Sequence, residues 1–413
     1  MSSKSILVIG GGFAGITSAL EAAEMGHEVF LIEKSPFLGG RVMQLYKYFP
    51  KLCPPSCGLE IQFQRLKKAK DKVKVFTLAE VVSVTGAKGD YKVKVRIKPR
   101  YVQPNGSSLT EAAGELSATV ENPFEFGLAT RKPLYMDVPF AFPHRYVLDK
   151  DAATPEDLKK LAGNAYINLE ETAKEIELDV GSIIVATGWK PYDLKNLTNL
   201  GGGKIKDAIS NMQMERLASP NGPTGGKIVR PSDGNAPKSV AFVQCAGSRD
   251  ENHLNYCSYI CCMASLKQAC YLLDQYPDAR ITIYYIDLRT PGRYETFLKR
   301  VLSSPNVTTV KGKVAAVEDT AGGKVLVTVE NAITGIKAQD AYDLVVLATG
   351  MQPSLAVEGL PFDLPKDEEG FIIGGAEQGI FAAGCAKVPL DVMKSAQSAT
   401  GAALKAIQTV VGR

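Results

Sequence analysis

Four of the chain's eight cysteines fall within residues 245–262. They are Cys245, Cys257, Cys261 and Cys262, and the last two are adjacent. In a chain of 413 residues, which needs no disulfide framework, clustered cysteines are better interpreted as metal ligands or redox groups. A zinc ion prefers chelating loops such as C-x2-C, whereas the ligands of a cubane cluster bind separate irons. The spacing therefore favours a [4Fe-4S] cluster; zinc and metal-free buried cysteines are the alternatives.

Two strands and a helix are expected to position these cysteines. The pattern predicts strands at 239–243 and 281–286 and a helix at 265–273. Between the first strand and the helix, where G-x-G-x-x-G would hold a dinucleotide, stands QCAGSRDENHLNYCSYICC. Cysteines thus replace glycines at the carboxyl edge of a sheet, where open α/β sheets bind ligands. The start of the following helix would stabilise thiolates and the negative charge of the cluster.

The first fifty residues carry a nucleotide-binding pattern. A strand at 5–9, a helix through Met25 and a strand at 27–32 surround the motif G-x-G-x-x-G. These glycines allow a tight turn, backbone approach to a pyrophosphate and close helix–strand packing, and the helix start attracts phosphate. Glu33, at the end of the second strand, is placed to accept hydrogen bonds from a ribose. The predicted nucleotide-binding residues here are Gly10, Gly12, Phe13, Ala14, Gly15, Glu33 and Lys34.

Three further segments resemble flavoproteins with two dinucleotide-binding domains, so FAD is the expected nucleotide. The doublet Gly39-Gly40 with Arg41 follows the acidic residue, and two ATG segments, GSIIVATGWKP and YDLVVLATGMQP, are similar to the crossings between such domains. The stretch GIFAAGCAKVPLDVMKSAQSATGAALKA is similar to the closing strand, turn and helix against the flavin. The resemblance adds these predicted FAD-binding residues: Gly39, Gly40, Arg41, Ala186, Thr187, Gly188, Gly350, Gly384 and Cys385.

The predicted fold class is α/β, with a Rossmann-type FAD domain and an inserted second Rossmann-like domain. The FAD domain would comprise residues 1–190 and 343–413, with an antiparallel excursion at about 72–148. The second domain would comprise 191–342 and carry the cysteine cluster. Its first part, 197–237, is rich in Gly, Pro, Ser and Asn and predicts a loop-like connection with one short helix, AISNMQMERLA.

Composition excludes several classes of function. The formal net charge is +4 with no long run of one sign, so we expect no nucleic-acid partner. The opening MSSKSILVIGGG lacks the apolar region and cleavage site of a signal peptide, which predicts a cytoplasmic protein. Apolar runs such as DLVVLATG have the length of strands, so any membrane association is expected to come through a partner.

Specific motifs resemble the A-type subunits of heterodisulfide reductases, which are flavin and iron–sulfur electron-transfer proteins. They are CAGSRDENHLNYCSYICCMASLKQA, GPTGGKIVRPSDG and TRKPLYMDVPFAFP, and the likeness covers essentially the whole chain. Between Tyr101 and Phe126, where longer members carry a ferredoxin insertion, this chain has no cysteine. That short form is similar to the A-type subunit of the quinone-interacting membrane-bound oxidoreductase complex of sulfate reducers. The resemblance implies three partners: adenylylsulfate reductase, a haem-bearing membrane subunit, and a second flavin and iron–sulfur subunit.

Two function hypotheses follow. The first is an electron-transferring subunit, peripheral to the cytoplasmic membrane, that exchanges electrons between the quinone pool and adenylylsulfate reductase. The second is a soluble heterodisulfide or disulfide reductase-like flavoprotein, with or without electron bifurcation. The missing nicotinamide fingerprint in the second domain favours a protein electron partner and so the first hypothesis. A non-redox scaffold that has lost its cofactors is a third alternative.

Lys267 is the one catalytic candidate. It lies five residues after Cys262, on the helix that leaves the cysteine-rich loop. We predict that its cationic side chain reaches the flavin ring and stabilises the reduced anionic form. The alternative is a solvated lysine on a helix surface.

The other cysteines and His253 carry weaker signals. Cys385 occupies a position where flavoproteins usually have Asp, which puts that contact with the ribityl chain in doubt. Cys53 and Cys57 form C-x3-C rather than the usual C-x4-C redox pair, and a structural turn competes with a dithiol or accessory ligand role. Cys270 is predicted to be a core residue. His253 lies inside the cysteine-rich segment, where a surface role competes with tuning of a cluster.

Overall fold

The computed structural model describes residues 4–104 and 109–412, and these divide into two compact units. The first unit consists of residues 4–43, 56–104, 109–189 and 353–412. The second consists of residues 44–55 and 190–352. Four residues of the cysteine-free segment after Tyr101, 105–108, lie outside the described part of the chain.

The strands are, in chain order, β1 Ile6–Ile9, β2 Val29–Ile32, β3 Val73–Phe76, β4 Ala79–Ala87, β5 Asp90–Ile97, β6 Val120–Glu121, β7 Thr130–Arg131, β8 Leu134–Tyr135, β9 Val147–Leu148, β10 Lys174–Val180, β11 Ser182–Val185, β12 Trp189–Pro191, β13 Ala208–Ser210, β14 Ser239–Ala246, β15 Arg280–Tyr285, β16 Val307–Lys311, β17 Val314–Asp319, β18 Val325–Glu330, β19 Lys337–Tyr342, β20 Leu344–Thr349, β21 Met351–Pro353 and β22 Ile380–Ala382. The α-helices are α1 Phe13–Glu24, α2 Pro55–Lys68, α3 Thr110–Gly114, α4 Pro155–Ala162, α5 Asn211–Ala218, α6 Cys261–Gln275, α7 Tyr294–Leu302, α8 Ser354–Val357 and α9 Val392–Val410.

A parallel sheet forms the centre of the first unit. Its order is β22-β11-β1-β2-β3, so the first strand lies in the middle. Every residue of β1, β2 and β11 is buried, as expected for strands covered on both faces. Helices α1 and α9 pack against each other and against this sheet. The α/β class with a Rossmann-type domain, predicted from the glycine motif and its flanking strands, is confirmed.

A second, antiparallel sheet of order β10-β5-β4 belongs to the same unit. The sequence placed Val73–Phe76 in this antiparallel excursion, but that strand pairs in parallel with β2. The alternating Val residues of β3 are compatible with either sheet, so the sequence pattern did not distinguish them. The antiparallel sheet begins only with β4, after a short connection. β5 alternates buried and exposed residues and packs its apolar face on the core formed with Leu7, Ile183 and Ile380.

The second unit is also α/β. Its parallel sheet has the order β13-β20-β14-β15-β16, and an antiparallel sheet β17-β18-β19 stands beside it. Alternate residues of β14 and β20, including Val243 and Leu347, form one core with Val327 of the antiparallel sheet. Helices α5 and α6 pack against β20 and β14. The central position of β14 places its carboxyl end between those of two neighbouring strands.

Two local predictions for this unit need correction. Helix α6 begins at Cys261, four residues before the predicted start, and no side chain caps its first turn. Because no Ser, Thr, Asp or Asn cap stands there, the sequence carried no start signal at that point. The segment 197–237 contains a strand, Ala208–Ser210, that pairs with β20. Ser210 then caps α5 reciprocally with Gln213, and three residues are too few to show a strand pattern.

Helices across residues 4–104 and 109–412 were compared with the requirements for crossing a lipid bilayer. None combines the length and the apolar character that a membrane span needs.

Candidate functional site

The glycine turn of the first unit connects β1 to α1. Gly10 adopts a φ of +107°, and its N–H donates to Ile32 O at 2.8 Å, which closes the turn onto β2. A Cβ at Gly15 would lie 1.8 Å from Gly10 O, so only glycine lets the helix approach the strand this closely. At Gly12 a Cβ would meet no atom closer than Gly40 Cα at 3.9 Å. The first and third glycines therefore serve packing, and the middle one leaves backbone open to a ligand.

Glu33 stands beside this turn at the end of β2. Its carboxylate accepts the Gly11 N–H at 2.6 Å through Oε2 and the Ser35 N–H at 2.7 Å through Oε1. Burial raises the pKa of the Glu33 carboxyl, and these backbone donors act against that shift. The neighbouring Lys34 points away, to an exposed ion pair with Glu358 at 3.2 Å. The structure thus brings Glu33, and not the Lys34 ammonium, to the glycine turn.

The glycine doublet closes the other side of the turn. Gly39 donates its N–H to Gly11 O at 2.8 Å and pairs with Gly12 in a parallel bridge. Arg41 follows in a short 3-10 helix and donates its Nε–H to Trp189 O at 3.2 Å. Burial lowers the pKa of the Arg41 guanidinium, and the Glu358 carboxylate opposes that shift.

The remaining predicted FAD residues of the first unit lie around the same strand ends. Ala186 donates its N–H to Ile9 O at 2.8 Å, just before Gly10. Phe13 and Ala14 open α1, and a Cβ at Gly384 would lie 2.8 Å from the Ala14 methyl. These contacts bring the residue after β11 next to β1, and Gly384 next to the first turn of α1.

Three of these residues have distinct surroundings. Thr187 Oγ1 is buried and makes no hydrogen bond to the described residues. Gly188 O accepts the Ser354 N–H at 3.1 Å, which fixes the first ATG segment. The Cys385 thiol donates a hydrogen bond to Leu390 O at 3.5 Å, within the turn before α9. The sulfur therefore stabilises this turn.

Gly350 lies in the second unit, unlike the other predicted FAD residues. A Cβ there would come within 2.3 Å of Ser248 Oγ and 3.0 Å of Ser258 Oγ. The glycine therefore allows β20 to end directly against the cysteine loop, which we define as residues 247–260 between β14 and α6.

The end of β14 and the cysteine loop contain backbone conformations that non-glycine residues seldom adopt. Cys245, Arg249 and Tyr259 have φ values of +56°, +53° and +65°. Each such residue costs about 1–3 kcal/mol and persists only where the surrounding structure enforces it. β14 also shifts its register against β20 between Val243 and Ala246. The sequence thus folds locally to turn Cys245 out of the regular strand.

Hydrogen bonds from the thiols place the cysteines at the carboxyl edge of three neighbouring strands. Cys245 lies at the end of β14, the middle strand. The Cys261 thiol donates to Thr349 O, the last residue of β20, at 3.7 Å. The Cys262 thiol donates to Asp287 O, just beyond β15, at 3.4 Å. Cys257 accepts the Tyr259 N–H at 3.4 Å within the loop. Three of the predicted metal ligands, Cys245, Cys261 and Cys262, are therefore brought to one sheet edge, and Cys257 lies in the loop between β14 and α6.

Burial, with repulsion between neighbouring thiolates, raises the pKa of Cys245, Cys261 and Cys262 and so favours their protonated form. Burial raises the pKa of Cys245 to about 11, and the charges of Cys262 and Cys257 add to the shift, while Arg249 opposes it. Burial followed by the charge of Cys262 raises the pKa of Cys261 well above its ordinary value. Thiolates are the metal-binding form, so loading this site would release protons and would need strong compensating positive charge.

The four thiols do not converge on one point. Throughout residues 4–104 and 109–412, no three His, Cys, Asp or Glu side chains are arranged to hold a single metal ion. The charges of Cys262 and Cys257 nevertheless raise the pKa of Cys245, so both lie close enough to influence its ionisation. A cubane binds each thiolate through a different iron, and thiols spread around one sheet edge fit that requirement better than a zinc site does.

Lys267 is 2% exposed and so is not a solvated helix lysine. Its ammonium lies 3.1 Å from Glu215 Oε1 and donates to Lys47 O at 2.7 Å. Glu215 Oε2 in turn accepts the Tyr46 N–H at 2.9 Å and the Tyr271 hydroxyl at 3.2 Å. This buried network ties segment 44–55 to α5 and α6 within the second unit. The proposed influence of Lys267 on a flavin stays a prediction.

Two polar residues escaped the sequence interpretation. Glu215 lies 52 positions before Lys267, in the short helix predicted within the loop-like connection, so no local signal links the pair. Gln244 is 4% exposed at the end of β14, and neither of its side-chain polar atoms has a hydrogen-bond partner among the described residues. The sequence feature that could have identified Gln244 is its position directly before Cys245, at the end of a predicted buried strand.

The remaining candidates occupy separate places. Cys53 is partly buried in segment 44–55 of the second unit, and Cys57 is exposed in the part of α2 that belongs to the first. Cys270 is buried on α6, as predicted. His253 lies in the cysteine loop, where its Nδ1 is 2.9 Å from the Tyr192 hydroxyl.

Comparison with known proteins gives three kinds of match. Residues 5–49 match the family model described as FAD dependent oxidoreductase. The A-type iron-sulfur subunit of the CoB–CoM heterodisulfide reductase of Methanocaldococcus jannaschii is 35% identical over 97% of this chain and 63% of that protein. The thioredoxin reductase of T. acidophilum superimposes with a TM-score of 0.52 at 15% identity over 99% of each chain, a likeness of fold alone.

Two further relatives agree with the first. The A-type subunit of the ferredoxin:CoB–CoM heterodisulfide reductase of Methanosarcina mazei is 34% identical over 98% of this chain and 53% of that protein. The A-type subunit of the H2:CoB–CoM heterodisulfide,ferredoxin reductase of Methanothermobacter thermautotrophicus is 35% identical over 97% of this chain and 63% of that protein. The chain thus spans between 53% and 63% of the length of these curated relatives.

Proposed function

Since the chain belongs to the heterodisulfide reductase A-like family, we propose that it is an oxidoreductase subunit that carries electrons between FAD and an iron–sulfur cluster. The first unit would bind FAD and the second a [4Fe-4S] cluster. When bound, the flavin accepts or donates up to two electrons, and the cluster passes them singly. The protein's own residues supply binding, orientation and electrostatic control.

The observation that carries this proposal is the placement of the cysteines. Cys245, Cys261 and Cys262 lie at the ends of β14, β20 and β15, the edge where open α/β sheets bind ligands. Two of them open α6, whose N-terminal backbone dipoles favour negative charge. Adjacent residues on a helix point about 100° apart, so the two thiolates suit different irons of one cluster.

The glycine turn of the first unit fits a dinucleotide. The backbone at Gly12 is open, while Gly10 and Gly15 are required by the close packing of β1 and α1. Glu33 already accepts hydrogen bonds beside the turn, so ribose hydroxyls can be added to or exchanged with the Gly11 and Ser35 donors. This surface, together with the matching family model over residues 5–49, supports FAD as the bound cofactor.

The names of the relatives favour the second of the two function hypotheses. Those described above are subunits of heterodisulfide reductases of methanogens, which supports a heterodisulfide reductase-like electron-transfer flavoprotein. Its partners would then be further subunits of such a reductase. The sulfate-respiration complex, with adenylylsulfate reductase and a haem-bearing membrane subunit, rests on the cysteine-free segment after Tyr101 and is the weaker proposal.

The test is anaerobic purification of the full-length chain, followed by flavin, iron and zinc analysis. We expect about one FAD and four irons per chain. Glu33→Arg should lower the FAD content because a cation replaces the acceptor of the ribose hydroxyls, whereas Glu60→Arg, at an exposed position of α2, should not. Zinc in place of iron, or a colourless protein without flavin, would refute the proposal. Steady NAD(P)H turnover by the isolated chain would instead indicate a self-sufficient soluble reductase.

A further inference from the structure

Gln244 is a buried carboxamide whose partner is missing from the described residues. It is 4% exposed, and both Nε2 and Oε1 make no hydrogen bond within that part of the chain. Buried amides are nearly always bonded, since leaving a donor and an acceptor unsatisfied destabilises the folded state. A native position of this kind therefore indicates a partner other than the described residues, such as a bound group.

The strand geometry shows which side Gln244 faces. Ala241 and Val243 of β14 pack with Val345 in the core shared with the antiparallel sheet. Side chains alternate between the faces of a strand, so Gln244 belongs to the opposite face. Helix α6 packs against β14, and none of its described residues belongs to the core shared with the antiparallel sheet, so α6 covers this opposite face. The carboxamide thus lies in the layer that contains the first turn of α6.

Gln244 also lies near the carboxyl end of β14, at the same level along the sheet as the cysteines. It precedes Cys245, and β14 lies between β20 and β15. The Cys261 and Cys262 thiols bond to carbonyls at or just beyond the carboxyl ends of those two flanking strands. The unpaired carboxamide therefore shares one sheet edge and one layer with the Cys261 and Cys262 thiols.

We propose that the Gln244 Nε2–H donates a hydrogen bond to a sulfur atom of the iron–sulfur cluster. This inference rests on the proposed function, because it assumes the cluster at Cys245, Cys257, Cys261 and Cys262. Hydrogen bonds to cluster sulfurs stabilise the more negative, reduced form and raise the reduction potential. Gln244 is thus a residue that sets the potential of the cluster without being one of its ligands.

The experiment is a redox titration of the full-length, cluster-loaded protein, followed through the paramagnetic signal of the reduced cluster, with iron determined in parallel. We expect Gln244→Leu to keep its iron and to lower the equilibrium constant for reduction about tenfold, which is about 59 mV for a one-electron couple. Gln244→Glu keeps the side-chain shape but replaces the donor by a negative charge, so its potential should fall further.

Gln275→Leu is the matched control. It makes the same chemical change at the other end of α6, where the amide already donates to Gly226 O at 2.8 Å and accepts the Ile228 N–H at 3.0 Å. Its potential should equal that of the parent protein.

Each outcome is decisive. Potentials of Gln244→Leu and Gln244→Glu equal to the parent's would overturn the inference and indicate that a water molecule satisfies the amide. If Gln244→Leu fails to hold iron, the Gln244→Glu potential alone decides the question in the same way. A parent protein without iron would refute the proposed cluster itself, which is a different result from an unchanged potential.

Discussion

The ammonium of Lys267 and the carboxylate of Glu215 lie 3.1 Å apart, with side chains 3% and 2% exposed. Burial lowers the pKa of Lys267, while the charge of Glu215 and its hydrogen bond raise it. The pair is embedded between α5, α6 and the backbone of segment 44–55. Each charge in such a setting depends on the other, because neither has access to bulk water.

Removing one member of this pair should be costly. We expect Glu215→Gln to destabilise the second unit by about 3–5 kcal/mol, because it leaves a buried ammonium without its counter-charge. The double variant Glu215→Gln with Lys267→Met should recover part of that loss. Chemical denaturation measures the free energy of unfolding of each variant. Glu295→Gln, which breaks the exposed Lys299 pair on α7, is the control and should cost at most about 0.5 kcal/mol.

The lowered pKa of Lys267 also predicts how the folding stability depends on pH. The folded-state pKa of Lys267 is lowered below its unfolded value, so between the two values the unfolded chain binds more protons and stability rises with pH. Glu215→Gln removes an attraction that raises this pKa and should steepen the rise toward pH 10. A stability curve of that variant parallel to the parent's would contradict the assignment.

Two glycines of the first turn should respond differently to alanine. Gly12→Ala should fold normally, because its Cβ meets nothing closer than 3.9 Å, but bind FAD at least about tenfold more weakly, because the methyl covers the open backbone. Gly15→Ala should lose both stability and FAD, since its Cβ would lie 1.8 Å from Gly10 O. Gly114→Ala, with no neighbour within 4 Å, is the control. Full FAD occupancy in Gly12→Ala would count against the nucleotide placement.

Replacement of each proposed cluster ligand should abolish or distort the reduced-state paramagnetic signal. We expect this for Ser at each of four positions: Cys245, Cys257, Cys261 and Cys262. Cys270→Ser, two turns further along α6 and buried, should keep both signal and iron. Iron analysis and low-temperature spectra of the reduced proteins measure the outcome. Retention of an unaltered signal in any one of the four variants would remove that cysteine from the ligand set.

Asp157 predicts the acid sensitivity of the first unit. Burial alone would raise the pKa of its carboxyl, but N–H donors from Ser117, Ala118 and Thr154 outweigh burial and lower it. The stabilisation is therefore present above the ordinary Asp pKa of about 3.9 and is lost as the pH falls through the lowered value.

Asp157→Asn should consequently lower the thermal midpoint at pH 7, on the order of 4 °C, and differ less from the parent near pH 3. Asp71→Asn changes an exposed carboxylate and serves as the control. If Asp157→Asn lowers the thermal midpoint by the same amount at both pH values, the carboxylate charge is not the cause of the stabilisation.

The predictable parts of this protein are those with a local signature. Buried strands, the glycine turn and Glu33 follow each other within 33 residues, so their spacing alone indicated the α/β fold and the nucleotide site. The cysteine pattern likewise indicated the sheet edge, because a loop between a parallel strand and the next helix must lie there.

Other features depend on tertiary contacts that leave no local pattern. The start of α6 at Cys261 has no capping side chain, and strand 208–210 exists only because β20 provides a partner. Lys267 could be noticed from its place after the cysteines, but its partner Glu215 comes from a separate helix. The orientation of Gln244 required the assignment of core residues to the two faces of β14.

The divergence of Cys261 and Cys262 has a consequence for metal competition inside a cell. Zinc and copper bind thiolates more tightly than ferrous iron does, so a site that gathered three thiolates at one point would be captured by the wrong metal. Over residues 4–104 and 109–412, no such convergent triplet of ligands occurs. A single zinc or copper ion would bind only some of the four cysteine thiolates, whereas a preassembled iron–sulfur cluster can bind all four. Resistance to mismetallation would then come from the spacing of the sulfur atoms rather than from their affinity.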